Sequence, residues 1–297
     1  MGGAHVDRRR QHATARPPAR AGRCARSVAA SRGRVPSGAR PVTPSGDGHG
    51  TTRGRRGAAL PVPRPDWAYF FDIDGTLVEL TDSPAGASGD AGLRKLIADL
   101  SRAVGGAVAL ISGRSIADID RLVPDTQVPA AGQHGVERRD AAGRISRHAF
   151  PARDLDWLRH AVAAAAAPHH GLVLEDKGLS LALHYRRAPR LGGFVHRLAR
   201  ALVTQAGTEY CIQAGKRVVE MKPAGKDKGV AVEEFMQEEP FRGRTPVFVG
   251  DDITDEYGFA TVNRLHGYSI KVGPGRTAAR WHLRDVQAVR AWLERGL

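Results

Sequence analysis

The sequence predicts an α/β fold: a doubly wound parallel sheet with a smaller α+β domain inserted into it. From residue 67 onward, short β-like runs alternate with helical periods. Between residues 148 and 223 this order changes to helix–strand–strand–helix–strand–strand. Acidic residues directly follow two of the predicted strands, at the sheet edge where open α/β sheets bind their ligands. The 297 residues suffice for such a two-domain arrangement.

The first part of the predicted sheet has a strand–helix–strand–helix–strand order, which is typical of parallel strands joined by helices. Its first helix carries Leu93, Leu96, Ile97 and Leu100 at i, i+3, i+4 and i+7, so they share one face. The predicted elements are strands at 68–71, 107–111 and 128–131, with a second, short helix over 116–122.

The inserted part is predicted as a cap over residues 148–223, and the core as 65–147 together with 224–297. Period-two alternation on either side of two short turns, at 176–178 and 214–215, favours two antiparallel hairpins. The cap elements are helices at 154–167 and 193–203 and strands at 172–174, 179–185, 210–213 and 218–221. The core then resumes with helices at 228–236, 255–264 and 286–294 and strands at 247–249 and 268–272.

The net charge of +14 belongs mainly to the N-terminal segment. Residues 1–64 hold fourteen arginines against two aspartates, so the remaining chain carries a charge of only +2. The segment lacks a hydrophobic period and is predicted to be a disordered extension. A polyanion-binding arm and a transit peptide are alternatives, but the segment has no aromatic residues for stacking on bases, which favours a dispensable extension.

The amino-acid composition indicates where in the cell the protein is expected and which kinds of partner it is expected to bind. No apolar run approaches the about 18 residues of a membrane span. The two cysteines are too few for a disulfide framework, so we expect a cytoplasmic protein. We expect a small-molecule substrate, a monomer, and no nucleic-acid or membrane partner.

Four polar residues follow predicted strands at one edge of the sheet. Asp72 and Asp74 leave the first strand, Ser112 the second, and Asp251 a later one. Carboxylates and a substrate phosphate are the oxygen ligands that Mg²⁺ accepts. The set therefore predicts phosphoryl transfer, with Asp72 as nucleophile and Asp74 as proton carrier.

The sequence allows more than one choice for the lysine that faces the phosphate and for the aspartates of the second acidic cluster. Lys228 precedes a helix and could neutralise a phosphoryl group, with Lys226 as a rival. Asp251 is the best metal ligand of its acidic cluster, whereas helix capping alone could explain Asp255.

The motifs Asp72-Ile-Asp-Gly-Thr76, Ser112, Lys228 and Gly250-Asp-Asp252, in this order, resemble those of the haloacid dehalogenase (HAD) superfamily of phosphatases. Further segments are similar to the trehalose-6-phosphate phosphatases. They are Leu110-Ile-Ser-Gly-Arg114, Gly132-Gln-His-Gly-Val-Glu137, Glu175-Asp-Lys-Gly-Leu-Ser-Leu-Ala-Leu-His-Tyr-Arg186, Val218-Val-Glu-Met-Lys-Pro223 and Gly250-Asp-Asp-Ile-Thr-Asp-Glu256.

The resemblance implies a HAD-like core whose cap binds the sugar of trehalose 6-phosphate, with Mg²⁺ as cofactor. It implies Asp72 as nucleophile and Asp74 as general acid and base. Ser112, Gly113 and Lys228 would hold the phosphate, and Asp72, Asp251, Asp252 and the carbonyl of Asp74 the metal. The implied substrate contacts are Arg114, Gln133, His134, Glu175, Lys177, Arg186 and Glu220.

Two alternatives stay open at this point. A related capped phosphatase acting on another sugar phosphate, such as sucrose 6-phosphate, would carry the same core motifs. A polyanion-binding protein that uses the arginine-rich arm would need residues 1–64 for its function.

Overall fold

The computed structural model describes residues 59–80, 90–124, 126–148 and 152–297. The strands of these ranges form two separate sheets, one of eight strands and one of four. In chain order the strands are β1 (Trp67–Phe71), β2 (Val108–Ile111), β3 (Ala130–Gly132), β4 (Glu137–Arg139), β5 (Ile145–Arg147), β6 (Val173–Asp176), β7 (Leu181–His184), β8 (Tyr210–Gly215), β9 (Val218–Pro223), β10 (Thr245–Gly250), β11 (Tyr268–Val272) and β12 (Trp281–Leu283).

Helices cover both sheets. The helix α1 begins after Asp90, whose side chain accepts a hydrogen bond from the backbone N–H of Leu93 at 2.6 Å. The apolar face predicted for this helix is buried along its whole length. The helices of the described ranges are α1 (Ala91–Ala103), α2 (Ile116–Leu122), α3 (Ala152–Ala166), α4 (Gly192–Ala206), α5 (Lys228–Met236), α6 (Glu256–Arg264) and α7 (Val286–Glu294).

The larger sheet has the strand order β12-β11-β10-β1-β2-β3-β4-β5. The six strands from β12 to β3 pair in parallel, and β4 and β5 extend the sheet in antiparallel. The central strand β1 is buried along its whole length, and Phe70 packs against Phe235 and Phe241 of the α5 region. Burial on both faces explains why β1 reads as an unbroken apolar run.

The cap comprises α3 to β9, with the antiparallel strand order β6-β7-β9-β8. One face of its sheet packs against α3 and α4 in a separate hydrophobic core that includes Leu181, Leu183, Val219 and Met221. Side chains at alternate positions point to the opposite face. There Glu220 reaches His134 of the larger domain, so this second face looks toward the parallel sheet.

The predicted fold class, a parallel core with an inserted α+β cap, is confirmed. Three strands were absent from the prediction: β4, β5 and β12. Each has only three residues, and β4 reads Glu-Arg-Arg, so none is long enough to show the alternation over four or more residues that indicates a strand. The strand predicted at 128–131 begins later, at Ala130, and the domain limits at 148 and 223 remain predictions.

Residues 1–58 of the predicted extension at 1–64 lie outside the described residues. The described chain begins at residue 59, within the predicted extension. Leu60 packs against the larger core, and Trp292 Nε1 donates a hydrogen bond to the carbonyl oxygen of Pro61 at 2.8 Å. In the described part of the chain, no helix has the length and apolar character that a membrane crossing requires.

Gly267 offers a test of how tightly β10 and β11 are joined. A Cβ at this position would overlap the carbonyl oxygen of Pro246, which is backbone and cannot rotate away. We expect Gly267→Ala to lower the free energy of unfolding by about 2–3 kcal/mol, measured by urea unfolding. In the control Gly193→Ala, the added Cβ meets no atom closer than 3.4 Å and lies in a helix, so stability should not fall. Equal stability of the two variants would contradict the prediction.

Candidate active site

The two acidic clusters meet at the carboxyl edge of the parallel sheet. Asp72 follows β1, and its backbone N–H donates to the carbonyl oxygen of Val249 in the adjacent strand β10 at 2.9 Å. Asp251 follows β10 directly. Oxygen atoms of Asp72, Asp251 and Asp255 all lie within 4.8 Å of one another. The parallel pairing of β1 with β10 therefore brings together residues that are nearly 180 positions apart in the sequence.

Lys228 lies between two of these carboxylates. Its Nζ is 2.9 Å from Asp72 Oδ1 and 2.6 Å from Asp255 Oδ1, and its side chain is buried. It opens α5, whose preceding residue Asp227 caps the helix by accepting from the N–H of Val230 at 2.9 Å. The rival Lys226 pairs with Glu234 instead. Lys228 is thus the lysine that faces the acidic group.

Burial and mutual repulsion shift the titration of this group. Burial and the charge of Asp255 raise the pKa of Asp72 well above its usual range, against the opposing charge of Lys228. The same two causes raise the pKa of Asp251 to about 7. The pKa of Lys228 is raised because Asp255 and Asp72 outweigh its burial. A divalent cation among these oxygens would relieve the repulsion.

The carboxylate group fits a hard, oxygen-seeking cation, but its members differ from those predicted. Asp255 belongs to the group, whereas the predicted ligand Asp252 takes part in a capping box. In that box Asp252 accepts the backbone N–H of Asp255, and Asp255 Oδ2 accepts that of Asp252 at 2.8 Å. Three carboxylates without a nitrogen or sulfur ligand are a donor set that suits Mg²⁺.

The turn after β1 leaves no space for a side chain at Gly75. Its φ of +83° is in the left-handed region, and a Cβ there would overlap the carboxylate of Asp251. The next residue, Thr76, is buried, and its Oγ1 lies 3.5 Å from Asp251 Oδ1. Glycine is therefore required for the close approach of the two acidic loops.

Asp74 is not a member of this carboxylate group and pairs with Arg114. Two hydrogen bonds of 2.6 Å join the pair, from Arg114 Nε to Asp74 Oδ2 and from Arg114 Nη2 to Asp74 Oδ1. Such a two-pronged contact fixes the carboxylate in orientation as well as in position. Arg114 was predicted as a substrate contact, and in the structure its partner is the predicted proton carrier.

Buried Ser112 and half-buried Gly113 form the loop after β2, beside the loop that follows β3. The backbone N–H of His134 donates to the carbonyl oxygen of Ser112, and that of Gln133 donates to Arg114, each at 2.8 Å. A Cβ at Gly113 would lie 2.8 Å from His134 Nε2, which is too close. Three consecutive residues from Gln133 have positive φ values, so the backbone of the second loop turns sharply at this point.

The cap meets this edge through Glu220 and Lys177. His134 Nε2 lies 3.1 Å from Glu220 Oε2, and Lys177 Nζ lies 3.0 Å from the carbonyl oxygen of Gly113 and 3.5 Å from Glu220 Oε2. Burial lowers the pKa of His134 to about 4, so its ring is neutral near pH 7. Burial alone would raise the pKa of Glu220, but the charge of Lys177 and the hydroxyl of Ser180 contribute to holding it below its usual range.

The remaining predicted substrate contacts have different surroundings. Gln133 Nε2 donates to the carbonyl oxygen of Lys177 at 2.7 Å and so links core to cap. Glu175 Oε2 lies 2.7 Å from His184 Nε2 on the next strand of the cap. Arg186 is exposed in the turn after β7.

Two residues at this edge were missed from the sequence. Ser180 Oγ lies 2.6 Å from Glu220 Oε1 and 3.1 Å from Gln133 Oε1. Lys271 is buried, and its Nζ donates to the backbone carbonyl of Asp251. A signal for Lys271 was available, since a lysine near the end of an apolar strand needs a partner at the sheet edge.

Comparisons with known proteins point to one family. A family model described as trehalose-phosphatase matches residues 70–287. The chain is 46% identical over 231 residues to the trehalose-6-phosphate phosphatase of Escherichia coli (strain K12), covering 77% of this chain and 85% of that relative. It is 42% identical over 217 residues to a probable trehalose-phosphate phosphatase of Sinorhizobium fredii, covering 73% and 82%. The C-terminal domain of C. albicans trehalose-6-phosphate phosphatase shares the fold, with a TM-score of 0.68 and 24% identity over 76% of this chain and 90% of that one.

The raised pKa of Asp251 predicts that metal affinity depends on pH. Its carboxyl is ionised above about pH 7 and protonated below it, and a bound cation requires the ionised form. Calorimetric titration with Mg²⁺ should therefore give about tenfold weaker binding at pH 6 than at pH 8. Equal affinity at the two pH values would contradict this expectation.

Proposed function

The chain belongs to the trehalose-phosphatase family, and we propose that it hydrolyses trehalose 6-phosphate to trehalose and phosphate through an aspartyl-phosphate on Asp72. The observation that carries the proposal is the buried carboxylate of Asp72 at the end of the central strand, 2.9 Å from Lys228 Nζ. A nucleophile needs such a fixed and charge-compensated position. The family match, which includes this residue, supports the phosphoric monoester as substrate.

In the first step, an oxygen of Asp72 attacks phosphorus, and the bond from phosphorus to the sugar oxygen breaks. Asp74 gives its proton to the departing oxygen, which leaves as the hydroxyl of trehalose. Ser112 and the backbone of Gly113 lie in the loop beside Asp72 and are the groups we assign to the phosphoryl oxygens. Lys228 would balance the negative charge that gathers there.

In the second step, water attacks phosphorus of the aspartyl-phosphate. Asp74, now ionised, takes a proton from this water, and the bond from phosphorus to Asp72 breaks. Phosphate leaves, and both carboxyl groups return to their starting states. One residue can serve both steps because the acid of the first becomes the base of the second.

Asp72 and Asp251 are the side chains we assign to Mg²⁺, with the backbone carbonyl of Asp74. Asp255 is instead engaged by Lys228 and by the N–H of Asp252, so we assign it a role in holding Lys228. When bound, Mg²⁺ would neutralise phosphoryl charge in the site. The all-oxygen set supports this choice of ion over Zn²⁺ or Cu²⁺, which favour nitrogen and sulfur ligands.

The sugar would lie between the sheet edge and the cap. Glu175, Lys177 and Glu220 carry acceptors and donors that suit sugar hydroxyls, and two of them already reach the larger domain. Closure of the cap over the site would exclude bulk water from the aspartyl-phosphate, apart from the attacking molecule. We also propose a cytoplasmic location, which rests on the low cysteine content, and a monomeric state.

The proposed function is tested by phosphate release from purified full-length protein. With Mg²⁺ present, we expect turnover of trehalose 6-phosphate to exceed that of sucrose 6-phosphate, and chelation of the metal to stop both reactions. Asp72→Asn should be inactive although it folds normally by circular dichroism, which excludes a contaminating phosphatase as the source. Faster turnover of sucrose 6-phosphate would overturn the substrate assignment.

The pairing of Arg114 with Asp74 predicts a loss that depends on the leaving group. Arg114→Gln should lower kcat/KM for trehalose 6-phosphate by at least about tenfold, because the proton donor loses its orientation. For p-nitrophenyl phosphate, whose leaving group needs no proton, kcat/KM should change by less than about threefold. These values report formation of the aspartyl-phosphate, the step that uses the acid.

The matched control is Arg121→Gln, which removes an exposed arginine from the helix that follows the same loop. It should leave both substrates unaffected. If Arg114→Gln lowers kcat/KM equally for both substrates, Arg114 contacts the phosphate group that the two substrates share and does not position Asp74.

A further inference from the structure

The strand register of the cap places three polar side chains in one row. Directly opposite residues on neighbouring strands are Glu175 and Ala182, Ala182 and Glu220, and Glu220 and Gln213. The row therefore crosses all four strands, from β6 through β7 and β9 to β8. Two of its members, Glu175 and Glu220, are already assigned to the sugar; Gln213 is not.

Gln213 lies on the face of the cap sheet that looks toward the catalytic edge. Its neighbours Tyr210 and Ile212 belong to the hydrophobic core under α3 and α4, so the side chains of Cys211 and Gln213 take the opposite side. Residues directly opposite in an antiparallel pair share a face. Gln213 thus shares the face of Glu220, which contacts His134.

The side-chain oxygen of Gln213 has no hydrogen-bond partner among the described residues. Gln213 is 6% exposed, and its Oε1 is buried. An unsatisfied buried acceptor is costly, and native structures supply nearly all such groups with a hydrogen-bond partner. A hydroxyl group of a ligand in the cleft would satisfy it.

A second unsatisfied acceptor lies next to the same carboxylate. Glu220 can only accept, so the neutral His134 ring donates from Nε2, and this leaves Nδ1 as an acceptor. Nδ1 is buried and without a partner in the described residues. Glu220 therefore has an unsatisfied acceptor on each side, one from the core and one from the cap.

We propose that Gln213 accepts a hydrogen bond from a sugar hydroxyl and makes the site selective for a two-ring sugar phosphate over a one-ring sugar phosphate. The inference rests on the proposed function and extends its sugar site to strand β8. Three strand spacings separate the ends of the row, about 14 Å, which exceeds the width of one pyranose ring. A row of this length suits a disaccharide.

The test compares Gln213→Met with the wild type on trehalose 6-phosphate and glucose 6-phosphate. The substitution keeps the length of the side chain and removes its acceptor. We expect KM for trehalose 6-phosphate to rise about fivefold, the factor of one neutral hydrogen bond, with kcat within twofold. For glucose 6-phosphate, kcat/KM should stay within twofold. Gln213→Asn, which shortens the reach, should show the same selective loss and serves if the first variant is unstable.

Analogues of trehalose 6-phosphate that each lack one hydroxyl identify the partner. One of them should lose about fivefold in the wild type and nothing further in Gln213→Met, because the bond is already absent. Gln205→Leu, an exposed glutamine on α4, is the control and should match the wild type on every substrate.

Three results would overturn the inference. The first is an unchanged KM of Gln213→Met for trehalose 6-phosphate, and the second is an equal loss of kcat/KM for both sugar phosphates. The third is that every analogue binds as much more weakly than trehalose 6-phosphate in Gln213→Met as it does in the wild type. Equal losses would mean that Gln213 only supports the packing of the cap. If the wild type itself does not favour trehalose 6-phosphate over glucose 6-phosphate, the proposed function fails as well. The wild-type measurement therefore separates the two failures.

Discussion

The buried lysine between two carboxylates is the interaction on which the catalytic edge depends. Asp72, Asp251 and Asp255 crowd their oxygens within 4.8 Å, and burial would make that repulsion severe without a cation. Lys228 supplies the charge from the first turn of α5. Removing one partner of such a buried pair typically costs about 3–5 kcal/mol, because a charge is left without compensation. Three segments that are remote in sequence are therefore held together by one ammonium group.

The sugar site depends on the same edge through two neighbouring loops. Backbone hydrogen bonds join the loop after β2 to the loop after β3, so Gly113 and His134 have fixed relative positions. These two residues are the ones that Lys177 and Glu220 of the cap contact. The residues assigned to phosphate and those assigned to sugar therefore lie on two loops that are hydrogen-bonded to each other. The same backbone hydrogen bonds thus fix the position of the phosphate site and the position of the cap contacts.

Much of this arrangement can be predicted from the periodicity of apolar residues in the sequence. The remainder depends on strand pairing and loop conformation, which periodicity does not reveal. The apolar run before Asp72 and the one before Asp251 predicted buried parallel strands, and parallel strands end at one edge, so the convergence of these residues was predictable. The choice between Asp252 and Asp255 was not, because both lie in one turn and only its backbone decides which side chain faces inward. The pairing of Asp74 with Arg114 could not be predicted, because the two residues are forty positions apart in the sequence. The place of Gln213 required the pairing of β8 with β9.

The antiparallel pair β4 and β5 has a consequence for how the protein behaves at high concentration. A parallel sheet that ended at β3 would present open backbone groups to neighbouring molecules, and such edges promote pairing between chains. Here the edge strand is instead β5, which has three exposed residues and ends in Arg147. A strand so short offers few backbone hydrogen bonds to a neighbouring molecule. The short strand that periodicity does not predict therefore leaves little free edge, on this side of the sheet, for pairing between copies of the chain.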